Sequence, residues 1–200
     1  MPEFLIDGSA SAARTYIFAP GAGGPMVSGF MTAIARGIAA KGIRVVRFEF
    51  PYMTARRRRP DPENVILDSW RFVVREIGHP ESLVIGGKSF GGRMASMVAD
   101  ELQVAGLLCY GYPFHPPGQP AKLRTAHLKT LATPALIVQG SRDAFGSREE
   151  VESYELSKAI ALQWIPEGDH SFKPRARSGF TERENLERAV DYGVRFITSI

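Results

Sequence analysis

Ser89 lies in Gly87-Lys88-Ser89-Phe90-Gly91, a G-x-S-x-G pattern, and a serine held in that setting is a candidate nucleophile. At neutral pH a serine attacks a carbonyl only with a base in hydrogen-bond reach, and the base needs an acid to orient it. The chain has four histidines. His170, in Gly168-Asp169-His170-Ser171-Phe172, follows the last apolar run and is the favoured base. His79 precedes Pro80 at a helix end and is expected to be a satisfied or solvated histidine, and His127, in a short segment after a proline-rich loop, is expected to be structural. His115, in Tyr112-Pro113-Phe114-His115, follows another apolar run and is expected to line the mouth of a site. For the acid, Asp143 in Gln139-Gly140-Ser141-Arg142-Asp143 is favoured. Asp169 competes with it, but a sequence neighbour seldom reaches its own histidine's ring nitrogen well.

Attack on a carbonyl puts negative charge on oxygen, which needs N–H donors already in place. Phe90 follows the serine at the start of a helix, where free N–H groups and the positive helix end converge, and its N–H is one expected donor. The second is expected from Gly21-Ala22-Gly23-Gly24, with Ala22 the choice and Gly23 the alternative. Losing such a donor costs about 3–4 kcal/mol of transition-state stabilisation. Gly23, Lys88, His115 and Arg142 are the residues expected against the substrate.

These residues need elements to hold them. Leu83-Val84-Ile85 is an apolar run ending at Gly86-Gly87, and Met94, Met97 and Val98 after the serine fall on one helical face, so the motif has the strand–turn–helix context it requires. A phosphate loop is excluded, because its pattern needs glycine where Ser82 stands and a flexible loop where the apolar run lies. A glycine-rich turn without chemistry is the bland alternative. Apolar runs at 15–19, 43–50, 104–110, 135–139 and 160–165 are expected strands. Between them, Val27, Phe30, Met31, Ile34 and Ile38 share a helical face, as do Ile66, Trp70, Val73, Val74 and Ile77. Asp61 is the expected cap of the second of these helices, with Pro62 at its first position. Residues 123–131 form a short helix or turn, and Ser147/Glu150 and Thr181/Glu184 are capping boxes opening helices. Alternating strands and helices imply right-handed crossovers and a mostly parallel sheet covered on both faces, an α/β sandwich of three layers in one domain spanning 1–200. Ligands bind such sheets at the strands' carboxyl ends, where Ser89, Asp143 and His170 all fall.

Bulk properties narrow the function classes. In 200 residues, 44% hydrophobic and 23% charged residues are ordinary globular values. The single Cys109 excludes an internal disulfide, and the first residues carry no basic segment followed by a long apolar one, so a cytoplasmic protein without membrane association is expected. The net charge of +4 is modest. Its one dense basic run, Arg56 to Arg59, lacks the interleaved aromatics of a nucleic-acid surface, and no nucleic-acid partner is expected. No metal or organic cofactor is expected either, since no cluster has ligand spacing.

Taken together, Ala19-Pro20-Gly21-Ala22-Gly23, Gly86-Gly87-Lys88-Ser89-Phe90-Gly91-Gly92-Arg93, Gly111-Tyr112-Pro113-Phe114-His115-Pro116-Pro117-Gly118 and the two segments holding Asp143 and His170 resemble the α/β-hydrolase superfamily, and within it the dienelactone-hydrolase-like group. The order serine, acid, histidine is the one that superfamily uses. The resemblance implies a minimal α/β-hydrolase fold with shortened first strands and a serine hydrolase with Ser89, Asp143 and His170 as its triad. Dienelactone hydrolases proper use a cysteine nucleophile, so lactone opening is not carried over. Pro20 stands where many relatives have histidine. The expected substrate is a small ester or thioester, because the roughly two dozen residues between the strands at 104–110 and 135–139 are too few for a large lid. Arg56 to Arg59 and Lys173, Arg175 and Arg177 flank the catalytic edge and suggest a substrate carrying a carboxylate or phosphate. A non-catalytic scaffold, and an acyltransferase or perhydrolase on the same triad, are the alternatives.

Overall fold

The computed structural model describes residues 3–200. Seven strands form one sheet in the order β1-β3-β2-β4-β5-β6-β7, where β1 is Leu5–Asp7, β2 Thr15–Ala19, β3 Arg44–Arg47, β4 Leu83–Lys88, β5 Gly106–Tyr110, β6 Ala135–Gly140 and β7 Ile160–Ile165. β1 runs antiparallel to β3, and every other pairing is parallel. The central strands β2, β4, β5 and β6 are buried along their whole length, which is why they are continuous apolar runs, whereas edge strand β7 alternates between more and less exposed residues.

The helices are α1 (Gly29–Ala39), α2 (Pro51–Thr54), α3 (Glu63–Ile77), α4 (Phe90–Ser96), α5 (Ala99–Leu102), α6 (Arg148–Val151) and α7 (Glu182–Ser199). α1 and α7 cover one sheet face through Met31, Ile34, Ile38, Ala189 and Ile197 against Tyr16, Phe18 and Tyr110. α3 to α5 cover the other through Ile66, Trp70, Val73, Met94 and Val98 against Ile17, Ile85 and Leu107. The architecture is a three-layer α/β/α sandwich, and among the described residues no cap domain is inserted in it.

Several boundaries depart from the sequence expectation for identifiable reasons. The strand expected over 43–50 ends at Arg47, because Pro51 sets up the short turn α2 and pulls Phe48 and Phe50 into the core against Trp70. Val27 lies before α1 and is exposed, since Ser28 caps that helix by accepting from Met31 N. Asp61 does not cap α3, whose cap position is Pro62; its carboxylate instead pairs with Arg57 at 2.6 Å. The helix after Ser89 breaks at Met97 and Val98 into α4 and α5, whereas the short helix or turn expected over 123–131 is present as a 3₁₀ turn at Ala126–Lys129. Both capping boxes are formed.

The strand order dictates where a ligand can sit. From β2 the chain first crosses to β3 on one side and then to β4 on the other, leaving a crevice beyond the carboxyl ends of the neighbouring β2 and β4. The loop holding Ala22 follows β2, and Ser89 follows β4.

Candidate active site

At the end of β4 the backbone turns sharply, and Ser89 takes φ 51° and ψ −114°, a left-handed conformation that a side chain rarely adopts. The turn is fixed at both ends: Ser89 N–H donates to the Tyr110 carbonyl (2.9 Å) and the Ser89 carbonyl accepts from Arg93 N–H (3.0 Å). It closes only because its flanks lack side chains. A Cβ on Gly87 would sit 2.4 Å from the Ala19 carbonyl oxygen, and one on Gly91 would sit 2.5 Å from the same oxygen. The strain therefore lifts the Ser89 hydroxyl out of the sheet edge and starts α4 one residue later.

The hydroxyl meets an imidazole. Ser89 Oγ is 2.8 Å from His170 Nε2, and His170 Nδ1 is 2.8 Å from Asp143 Oδ2. Asp143 is buried, and its other oxygen, Oδ1, accepts the Phe145 N–H at 2.9 Å. Gln139, on β6 and fully buried, donates to Asp143 Oδ2 (2.9 Å) and accepts the Tyr112 N–H (2.7 Å), tying the carboxylate to the end of β5. The Phe145 ring lies against the imidazole, with centroids 4.2 Å apart. With Asp143 accepting on Nδ1, the Nδ1–H tautomer leaves Nε2 as an acceptor for the serine proton. Asp169 does not reach the ring; its Oδ1 accepts from the backbone N–H groups of Ser171 and Lys173 and so shapes the loop that carries His170.

A cavity of about 610 Å³ opens over this array, lined on one side by Gly21, Ala22, Gly23 and Gly24 and on the other by Ser89, Phe90 and His170. Gly21 packs closest to the serine, where an added Cβ would lie 3.5 Å from Ser89 Cβ. The loop is held from beneath: Tyr52 Oη donates to the Ala22 carbonyl (3.0 Å), and the Glu49 carboxylate accepts the Met26 N–H (2.9 Å). Burial, with Asp61 and Glu49 adding to it, pushes the Tyr52 phenol up to about 12, so it remains a donor at any physiological pH. A second cavity of about 500 Å³ lies between α2 and α3, with Phe48 and Phe72 in its wall and no serine–histidine pair.

Three residues expected against the substrate are placed differently. Lys88 borders the cavity, but its side chain runs under it: Nζ donates to the His170 carbonyl and lies 5.2 Å from the Phe30 ring centroid. Burial lowers its pKa to about 8, against the opposing pull of Asp143 and Asp169. The alternation along β4 explains this, since Lys88 follows Val84 and Gly86 onto the α1/α7 face. His115 is buried, with Nδ1 2.8 Å from the Pro116 carbonyl and Nε2 3.5 Å from Glu150, and it does not border the cavity. Arg142 turns away and donates to the Glu167 carbonyl from Nε (3.0 Å) and Nη2 (2.9 Å). The flanking basic loops do not line the Ser89 cavity itself: Arg57 pairs with Asp61, Arg57 and Arg58 line an adjoining, shallower cavity that shares Ala22, Gly23 and Gly24 with it, and Arg175 faces Glu167 at 3.9 Å. The arginines that do line the Ser89 cavity are Arg93 and Arg124.

A second serine–histidine pair lies nearby. Ser96 Oγ is 2.8 Å from His127 Nε2, but Ser96 is buried inside α4 and its hydroxyl donates to the Arg93 carbonyl at 2.7 Å. Burial and the Arg93 charge lower the His127 pKa. Among the described residues no group of three or more histidine, cysteine or carboxylate side chains could hold a metal ion, and no helix is long and apolar enough to cross a membrane.

Comparison with known proteins adds to this geometry. A family model described as an alpha/beta hydrolase domain matches residues 12–198. An alpha-beta serine hydrolase homologue from Coxiella burnetii is similar at 24% identity and a TM-score of 0.75, over 97% of this chain and 90% of that one. A Xanthomonas campestris serine hydrolase described as lacking a lid matches at 22% identity and 0.74, over 97% and 88% of the two chains. A dienelactone hydrolase from Anabaena variabilis matches at 18% identity and 0.70, over 99% and 91%. At these identities the solved structures establish the shared fold.

Proposed function

The chain belongs to the alpha/beta hydrolase family, and from that premise we propose that it is a serine hydrolase cleaving a carboxylic ester or thioester through an acyl-enzyme intermediate. The observation that carries this reading is the unbroken relay from Ser89 through His170 to buried Asp143, each link 2.8 Å, at the floor of an open cavity. In the proposed reaction His170 Nε2 takes the Ser89 proton as Oγ attacks the carbonyl, and Asp143 stabilises the imidazolium that forms. The tetrahedral oxyanion is bound by the N–H groups of Phe90 and Ala22, with Gly23 the neighbouring alternative. His170 then protonates the leaving alcohol or thiol, and water repeats the cycle to release the acid. A cytoplasmic setting and a small-molecule substrate belong to the same proposal, supported by a single buried cysteine and by a cavity without a cap.

The test is steady-state hydrolysis of p-nitrophenyl acetate and of a short acyl thioester by the wild type and Ser89→Ala. Turnover that disappears in the variant, with its folding intact by circular dichroism, is the expected result. Equal turnover by both proteins would overturn the reading.

A further inference from the structure

Two guanidinium groups share the Ser89 cavity. Arg93 is on α4 one turn beyond Ser89, and Arg124 comes from the loop after β5, where its N–H donates to the Phe114 carbonyl at 2.7 Å. Burial lowers the pKa of Arg124, and the Arg93 charge adds to the effect. Like charges sharing a partly enclosed space repel, and an anion bound between them would relieve that repulsion.

The counterions present do not fill that role. Arg93 has Glu63 at 3.3 Å through one terminal nitrogen, but that carboxylate is half exposed, and the buried Arg93 Nε has no hydrogen-bond partner. Among the described residues, the Arg124 guanidinium makes no hydrogen bond or ion pair. The other groups lining this corner add no negative charge, since Pro113 and the Phe145 ring are neutral.

Position gives the two arginines a meaning. Four residues along a helix advance about 6 Å, and helical side chains lean toward the N-terminus, so Arg93 projects back toward the serine. A short chain attached to a carbonyl at Ser89 can therefore run along the cavity wall that Arg93 and Arg124 line. We propose that Arg93 and Arg124 form an oxyanion-binding subsite that selects substrates carrying a carboxylate or phosphate a few bonds from the scissile carbonyl. This rests on the serine-hydrolase reading for its catalytic meaning, but the binding site stands on the arginines alone. Planar guanidinium groups suit such a ligand because each offers paired N–H donors to two oxygens at once.

The experiment separates the two. Binding of methyl hemisuccinate, dimethyl succinate and inorganic phosphate to Ser89→Ala is measured by titration calorimetry, with Arg124→Gln and Arg124→Lys in the same background. Selective binding of the hemiester or of phosphate over the neutral diester, weakened at least tenfold by Arg124→Gln and partly recovered by Arg124→Lys, is the expected result. The tighter of the two anions identifies the group. Equal binding of charged and neutral esters, binding indifferent to Arg124→Gln, or no binding of either anion would overturn the subsite. In the Ser89 protein, the ratio of kcat/KM for p-nitrophenyl hemisuccinate over p-nitrophenyl acetate should fall at least tenfold with Arg124→Gln. A failure of both esters to turn over, with anion binding retained, would remove the hydrolase reading and leave the subsite standing.

Discussion

Ser89 and Ser96 stand seven residues apart, and each has a histidine Nε2 at 2.8 Å, yet only the Ser89 pair has the surroundings that the proposed nucleophilic attack needs. Three differences separate them. Ser89 sits on a strained turn with its hydroxyl facing a cavity, whereas Ser96 is buried in the body of a helix. His170 has a buried carboxylate on Nδ1, whereas His127 has burial and an arginine charge disfavouring its protonated form. The Ser89 hydroxyl is directed at its histidine, whereas Ser96 gives its proton to the Arg93 carbonyl one turn back and can only accept from the imidazole. A serine–histidine hydrogen bond thus marks a nucleophile only together with a backbone that exposes the oxygen and an acid that orients the base. The Ser96 pair is instead a polar tie between α4 and the 3₁₀ turn, closing a seam beside Tyr112.

The contrast breaks most visibly at the serines themselves. Ser89→Ala should lower kcat on p-nitrophenyl acetate by about 10⁴-fold or more, as should Asp143→Asn, which leaves the ring in place but with the wrong tautomer. Ser96→Ala should leave kcat/KM within about twofold in the same assay. A smaller effect is expected beneath the glycine-rich loop after β2. Tyr52→Phe removes the one side-chain hydrogen bond to the Ala22 carbonyl and should reduce kcat several-fold with KM little changed, read by initial rates. On stability the order reverses: chemical denaturation should show Ser96→Ala losing about 1 kcal/mol, the net value of a buried hydrogen bond, and Ser89→Ala losing less.

A further effect, on stability alone, concerns the last residue of β4, immediately before the nucleophile candidate. Lys88 is held at about 8 when folded, below its ordinary 10.5. Between those values the unfolded chain carries a proton that the folded chain has released, so folded stability rises with pH there and is unaffected below it. Measured against Lys88→Met, the wild type should gain up to about 1.4 kcal/mol per pH unit between pH 8 and 9.5. A difference that is flat across that range would show that the ammonium is not buried under the site.

Much of this was legible in the sequence because it is written locally. The elbow, the central strands and the loop positions of Asp143 and His170 follow from apolar runs stopped by glycine, and strand order then brings those loops to one edge. Residues whose place depends on packing between elements were not legible. Gln139 looks like any strand-end amide until β5 and β6 pair and put Tyr112 beside it. His115 follows a strand as His170 does, but Tyr112 and Phe114 pull its segment into the core. Tyr52 is useful only because Pro51 bends the chain under the Ala22 loop. Lys88 could have been read: carrying the alternation of Leu83-Val84-Ile85 forward assigns it to the α1/α7 face. Arg93 and Arg124, on separate elements, carry no sequence signal of their meeting.

The most direct measurement is fluorophosphonate labelling of the wild type, Ser89→Ala and Ser96→Ala, with the modified residue located by mass spectrometry. The account predicts a single adduct on Ser89, lost in Ser89→Ala and undiminished in Ser96→Ala. No adduct on the folded wild type, or an adduct on Ser96, would contradict it.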